Sequence, residues 1–106
     1  MKASDSNGKS FPDGLGVVSP GQSITIECDH TGSISWSRTS MVNKKTEKLT
    51  SNEKITIKNN KLTIKDIDFI DASVYYCEQN GVAYRFYLNV YASKNLFENH
   101  IILTTF

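Results

Sequence analysis

The sequence predicts an all-β domain. Three observations carry that expectation. Short runs alternate apolar and polar residues with a period of two, two pairs of such runs are joined by asparagine-centred dipeptides suited to hairpin turns, and no window repeats with the helical period. With 106 residues, 39% of them hydrophobic and 10% aromatic, the chain fills one core and has no room for a second domain.

Taken in order, residues 1–14 are mostly Gly, Ser, Asn, Asp and Lys around one Phe11-Pro12 pair and read as a flexible leader. This start lacks the apolar centre of a signal peptide, so the chain reads as a fragment trimmed from its native context. Residues 15–91 carry the domain. Val17-Val18 ends at Ser19-Pro20-Gly21, a turn sequence. Ser23-Ile24-Thr25-Ile26-Glu27-Cys28 alternates and turns Ile24, Ile26 and Cys28 inward. Ser33-Ile34-Ser35-Trp36-Ser37 alternates again, with Ile34 and Trp36 on one face. Residues 39–53 have only Met41, Val42 and Leu49 as apolar anchors, which predicts a loop with one weak edge strand.

Lys54-Ile55-Thr56-Ile57-Lys58 and Lys61-Leu62-Thr63-Ile64-Lys65 flank Asn59-Asn60 as a hairpin, and residues 72–79 and 83–91 form a second across Asn80-Gly81. Residues 92–106 end in Ile101-Ile102-Leu103-Thr104-Thr105-Phe106, an apolar tail expected to act as a linker or an extra strand, because exposed it would be an aggregation-prone edge. No apolar stretch approaches the ~20 residues that span a bilayer as a helix.

The two cysteines, Cys28 and Cys77, lie 49 residues apart, with Trp36 eight positions after the first. A bridge closing such a loop would stabilise by about 4 kcal/mol on the chain-entropy account. Ahead of Cys77 stands Leu62-x-Ile64-x-x-Ile67-x-x-x-Asp71-x-Ser73-x-Tyr75-x-Cys77. In this combination of Cys, Trp, Leu-x-Ile, Asp and Tyr-x-Cys the chain resembles the immunoglobulin superfamily. The resemblance implies an immunoglobulin-like two-sheet antiparallel Greek-key sandwich with one inter-sheet disulfide, Cys28 to Cys77, covered by Trp36. It places Tyr75 as the tyrosine corner and Asp71 as the residue that fixes the preceding turn, with Leu62 completing the core signature. Trp36 to Leu62 is too short for the extra strand pair of a full variable domain, which points to an intermediate or constant-2 type. Ser19-Pro20-Gly21-Gln22-Ser23-Ile24-Thr25-Ile26 is similar to the second strand of an antibody light chain, yet no Phe-Gly-x-Gly follows Cys77. An antigen-receptor variable domain is therefore a poor match.

Chemistry is sparse. No serine sits in a nucleophile elbow and no glycine-rich phosphate loop is present, so no catalytic residue and no cofactor is expected. His30 and His100 have no partner at ligand spacing, and no metal is expected. Between residues 44 and 65, Lys44, Lys45, Lys48, Lys54, Lys58, Lys61 and Lys65 oppose only Glu47 and Glu53, in a chain whose formal charge is +1. Those lysines are a candidate anion-binding patch, for a sulfated glycan or an acidic protein face, or else a solvated edge that discourages aggregation. Nucleic acid is not expected, because no aromatic residues interleave with them.

Tyr84, Arg85, Phe86 and Tyr87 crowd the last two runs, and alternation sends half of them outward. With Ile101, Ile102 and Leu103 they form a candidate protein interface, including a homodimer through the tail or the last two strands. No Asn-x-Ser/Thr sequon interrupts these faces. The resemblance then implies a non-catalytic recognition module from an extracellular receptor or adhesion molecule, which binds another protein and does not insert into the membrane. The alternatives are an intracellular structural module of the muscle-filament kind, with reduced cysteines, and an antigen-receptor chain.

Overall fold

A computed structural model describes residues 1–91. Ten strands occur among them: β1 (Lys2–Asp5), β2 (Ser10–Phe11), β3 (Leu15–Val18), β4 (Ile24–Glu27), β5 (Ser35–Ser40), β6 (Thr46–Lys48), β7 (Ile55–Lys58), β8 (Lys61–Ile64), β9 (Ser73–Gln79) and β10 (Val82–Val90). They form two five-stranded sheets, ordered β2-β1-β4-β8-β7 and β3-β10-β9-β5-β6. Every neighbouring pair is antiparallel except β3 with β10, which is parallel.

The inward rows are those the alternation assigns. Ile24 and Ile26 of β4 face the interior beside Leu62 and Ile64 of β8, and Trp36, Tyr75, Phe86 and Leu88 meet them from the other sheet. Cys77 on β9 and Cys28, just past β4, close the disulfide between the sheets with a Cα–Cα distance of 6.1 Å, inside the range a bridge requires. Trp36 is the cross-strand partner of Cys77 and is 1% exposed. The Asn80-Gly81 turn has φ of 53° and 79°, the two left-handed angles of a type I′ hairpin. Asn59 opens the β7–β8 turn at φ 55°.

Four expectations are corrected. Residues 1–14 are not a flexible leader: β1 pairs with both β2 and β4, and Ala3 and Phe11 are buried in the core. Backbone pairing against an open sheet edge orders a polar segment that has few apolar side chains to bury, Ala3 and Phe11 with Met1 packed beside the core. The third alternating run begins its strand at Ser35, leaving Ile34 half-buried, and continues to Ser40. One turn of 3-10 helix, Phe69–Asp71, closes the connection before β9, with Asp68 and Asp71 capping each other's backbone. Phe86 is fully buried and is not a surface residue. The weak edge strand expected within residues 39–53 is β6.

The free edge of β7 is occupied by its own loop. Asn52 Oδ1 accepts from the amide of Ile55 at 2.8 Å and Ser51 Oγ from that of Ile57 at 3.0 Å. The tail residues Ile101, Ile102 and Leu103, and His100 with them, lie outside the described residues.

Candidate recognition surface

The outer face of the β3-β10-β9-β5-β6 sheet is set by its register. Leu15 lies opposite Tyr87, Tyr87 opposite Val74 and Val74 opposite Thr39, so one row runs across four strands. The adjacent row is Arg85, Tyr76, Ser37 and Lys48. Val17 sits beside Asn89 in the row on the other side. Leu15 is 62% exposed and Tyr87 41% exposed, an unusual cost for large apolar groups on a small domain. The Arg85 guanidinium lies 5.8 Å from the centre of the Tyr76 ring, a cation–π distance that ties the charge to its cross-strand neighbour. The surface is therefore apolar at its centre, with one anchored cation and the Glu78 carboxylate in the next row. Aromatic and arginine side chains in this arrangement suit non-covalent protein contact.

The sheet beneath is stiffened by a polar cluster at one end. The Tyr75 hydroxyl donates to the backbone oxygen of Asp71 at 2.7 Å, which is the corner its place in the sequence implies. Arg38 Nη1 donates to the same hydroxyl and to Asp71 Oδ1, both at 3.1 Å, while its Nε donates to Glu47 at 2.8 Å. Lys54 reaches the other Asp71 oxygen at 2.8 Å, and the amide of Asp68 donates to it as well. A carboxylate 1% exposed thus carries two cations and a backbone donor. Burial pushes the Tyr75 phenol up to about 12, against the pull of the Arg38 charge. Burial works against the Arg38 charge, but Tyr75 and Glu47 outweigh it and raise its pKa.

Of the expected interface residues, the structure brings Arg85 and Tyr87 onto this face and buries Phe86. Tyr84 belongs to neither group. It shares the inward phase of Phe86 but lies at the hairpin end, 38% exposed, with its ring 4.6 Å from that of His30. His30 Nε2 is 2.8 Å from the Val82 carbonyl oxygen, so the histidine ties the loop after β4 to the β9–β10 hairpin. Leu15 and Val17 were not anticipated as surface residues. Their only signal is the alternation Leu15-Gly16-Val17-Val18.

The seven lysines do not form one patch. Lys44, Lys45 and Lys48 lie in or beside β6, at the edge of the recognition sheet, whereas Lys58 and Lys61 lie on the opposite sheet beside Lys65. Lys54 is engaged by Asp71 and by the Asp66 carbonyl oxygen. Among the described residues no group of three His, Cys, Asp or Glu side chains comes together to hold a metal, and no helix is long and apolar enough to cross a membrane.

No family model matches the sequence, and no curated protein matches it. Solved structures do. The extracellular domain of the voltage-gated sodium channel beta4 subunit superposes with a TM-score of 0.58 at 17% identity, covering 74% of this chain and 85% of that one. A fragment of the N-terminal four Ig domains of Dscam1 isoform 6.9 gives 0.59 at 18% identity over 85% of this chain, which spans 25% of that fragment. The extracellular fragment of novel immune-type receptor 11 from Ictalurus punctatus gives 0.56 at 16% identity, covering 76% of this chain and 86% of that one. With the sheet order, the inter-sheet disulfide and the Tyr75 corner already in place, these likenesses identify the chain as a domain of the immunoglobulin fold.

Proposed function

We propose that this chain is a non-catalytic protein-recognition module from the ectodomain of a cell-surface receptor or adhesion molecule, and that it docks a second copy of itself through the outer face of β3-β10-β9-β5-β6. One observation carries the reading: Leu15, Tyr87 and Val74 lie in a continuous cross-strand row, with the exposed Val17 in the row beside it. The pairing of opposite charges on that face, Arg85 in one row and Glu78 in the next, supports a self-complementary contact about a two-fold axis. A disulfide in the core supports an oxidising, extracellular setting. The beta4 subunit is described as a parallel homodimer with a role in cell–cell adhesion, which makes the same use of this fold physically reasonable.

Sedimentation velocity over a concentration series, together with aggregation of beads coated with the full chain, tests the reading. The wild-type chain is expected to dimerise reversibly and to cluster beads, and Tyr87→Glu to abolish both without lowering the unfolding midpoint. A monomer at every concentration, with beads that stay dispersed, removes the self-docking proposal. Two reactive thiols per native chain would instead favour the intracellular structural alternative.

A further inference from the structure

The opposite sheet is polar where the recognition face is apolar. Its register sets Lys2, Glu27, Lys61 and Lys58 in one row across β1, β4, β8 and β7. The next row is Ser4, Thr25, Thr63 and Thr56. The hydroxyls of Thr25 and Thr63 are 3.0 Å apart, so the middle of this face is a ladder of short side chains. Glu27 separates Lys2 from Lys61 in the lysine row, which leaves Lys58 and Lys61 at its β7 end with no carboxylate between them.

Lys58 and Lys61 are direct cross-strand partners in the closing pair of the hairpin, a position where like charges repel. Among the described residues neither makes an ion pair. Between them and the threonines lies a shallow basin of about 460 Å³ lined by Thr56, Lys58, Asn59, Asn60, Lys61 and Thr63. Every one of these side chains can donate a hydrogen bond, and none is a carboxylate. A second, smaller basin shares Lys61 and continues the face toward Lys2 and Thr25, with the Glu27 carboxylate in its lining, so a sulfate is assigned to the first basin and not to this one.

We infer that this face binds a sulfated polysaccharide chain, with one sulfate seated in the Lys58–Lys61 basin and the chain lying across the threonine row toward Lys2. A sulfate accepts hydrogen bonds on every side and relieves the repulsion between the two ammonium groups. Two features select this occupant over other polyanions. The β1, β4, β7 and β8 strands contribute no exposed large apolar side chain to enter a bilayer, and no aromatic ring lies on the face to stack a nucleic-acid base. A disulfide in the core is in keeping with the oxidising compartment where sulfated glycans occur. The basin lies on the sheet opposite the self-docking face, so either assignment can fail without the other.

Titration calorimetry of the full chain with a size-defined heparin oligosaccharide tests this, with the N- and O-desulfated oligosaccharide, single-stranded DNA and phosphatidylserine vesicles as separate arms. Binding is expected for the sulfated oligosaccharide alone, weakening as salt rises. The double substitution Lys58→Gln with Lys61→Gln is expected to reduce affinity roughly tenfold or more, while Lys44→Gln with Lys45→Gln leaves it within about twofold. Lys58→Arg with Lys61→Arg keeps the charge and should retain binding, and an unchanged thermal midpoint shows that each variant is folded. Absence of binding, equal losses in the two glutamine pairs, or stronger binding to DNA or to vesicles overturns the proposal.

Discussion

Gly16 and Phe86 are in contact so close that no larger residue fits between them. A Cβ at position 16 would stand 2.9 Å from Phe86 Cζ and 3.1 Å from Phe11 Cγ. Both rings are buried in a close-packed core, where neither has free space to move into. Gly16→Ala is therefore expected to destabilise the domain by about 1–3 kcal/mol through overpacking alone. Urea unfolding at fixed m-value reads this directly, and an unchanged midpoint would mean that the β3–β10 contact is looser than described.

Phe11 tests the ordering of the first strands. It is 7% exposed and joins the central core, so Phe11→Ala is expected to cost about 3–5 kcal/mol. The same change in an unstructured leader would cost nothing. Circular dichroism melts of the two chains separate these outcomes.

Tyr75→Phe removes the donor to the Asp71 carbonyl and the acceptor for Arg38 together. The ring still fills its place in the core. A loss of about 1 kcal/mol in unfolding free energy is expected, the net worth of a buried hydrogen bond. Equal stability of the two chains would show that the hydroxyl contributes no corner.

The same hydroxyl gives the fold an alkaline limit. Its pKa rises from the ordinary 10.0 to about 12 on folding, chiefly through burial. The folded state holds the proton more tightly than the unfolded state, so the associated stability is complete below pH ~10 and falls as pH rises toward ~12, with a slope approaching about 1.4 kcal/mol per pH unit. Comparison with Tyr75→Phe isolates the contribution of this hydroxyl. That variant should lose stability less steeply between pH 10 and 12, and parallel profiles would remove the linkage to Tyr75.

The hairpins could be read from the sequence because their turn chemistry is local: Asn80-Gly81 adopts the two positive φ angles that its residue types favour. The disulfide and the Tyr75 corner followed from the family resemblance, and each has the expected geometry. The first strand escaped notice because what holds it is backbone pairing to β4, a contact that leaves little trace in side-chain pattern. Alternation alone separated Phe86 from Tyr87 but did not say which faced inward. Leu15 was missed as a surface residue because its neighbour Tyr87 lies at the far end of the chain. The lysines, contiguous in sequence, were divided when consecutive strands entered different sheets.

The loop that covers β7 also bears on how large an assembly of these domains can grow. With Asn52 and Ser51 occupying the amides of Ile55 and Ile57, another chain finds no ready row of donors on that side. The other outermost strands are short among the described residues: two residues at β2, three at β6 and four at β3. Self-docking of the kind proposed would then use a sheet face, which is used up once two copies meet about a two-fold axis. Crowded copies would stop at pairs rather than extend into a ribbon.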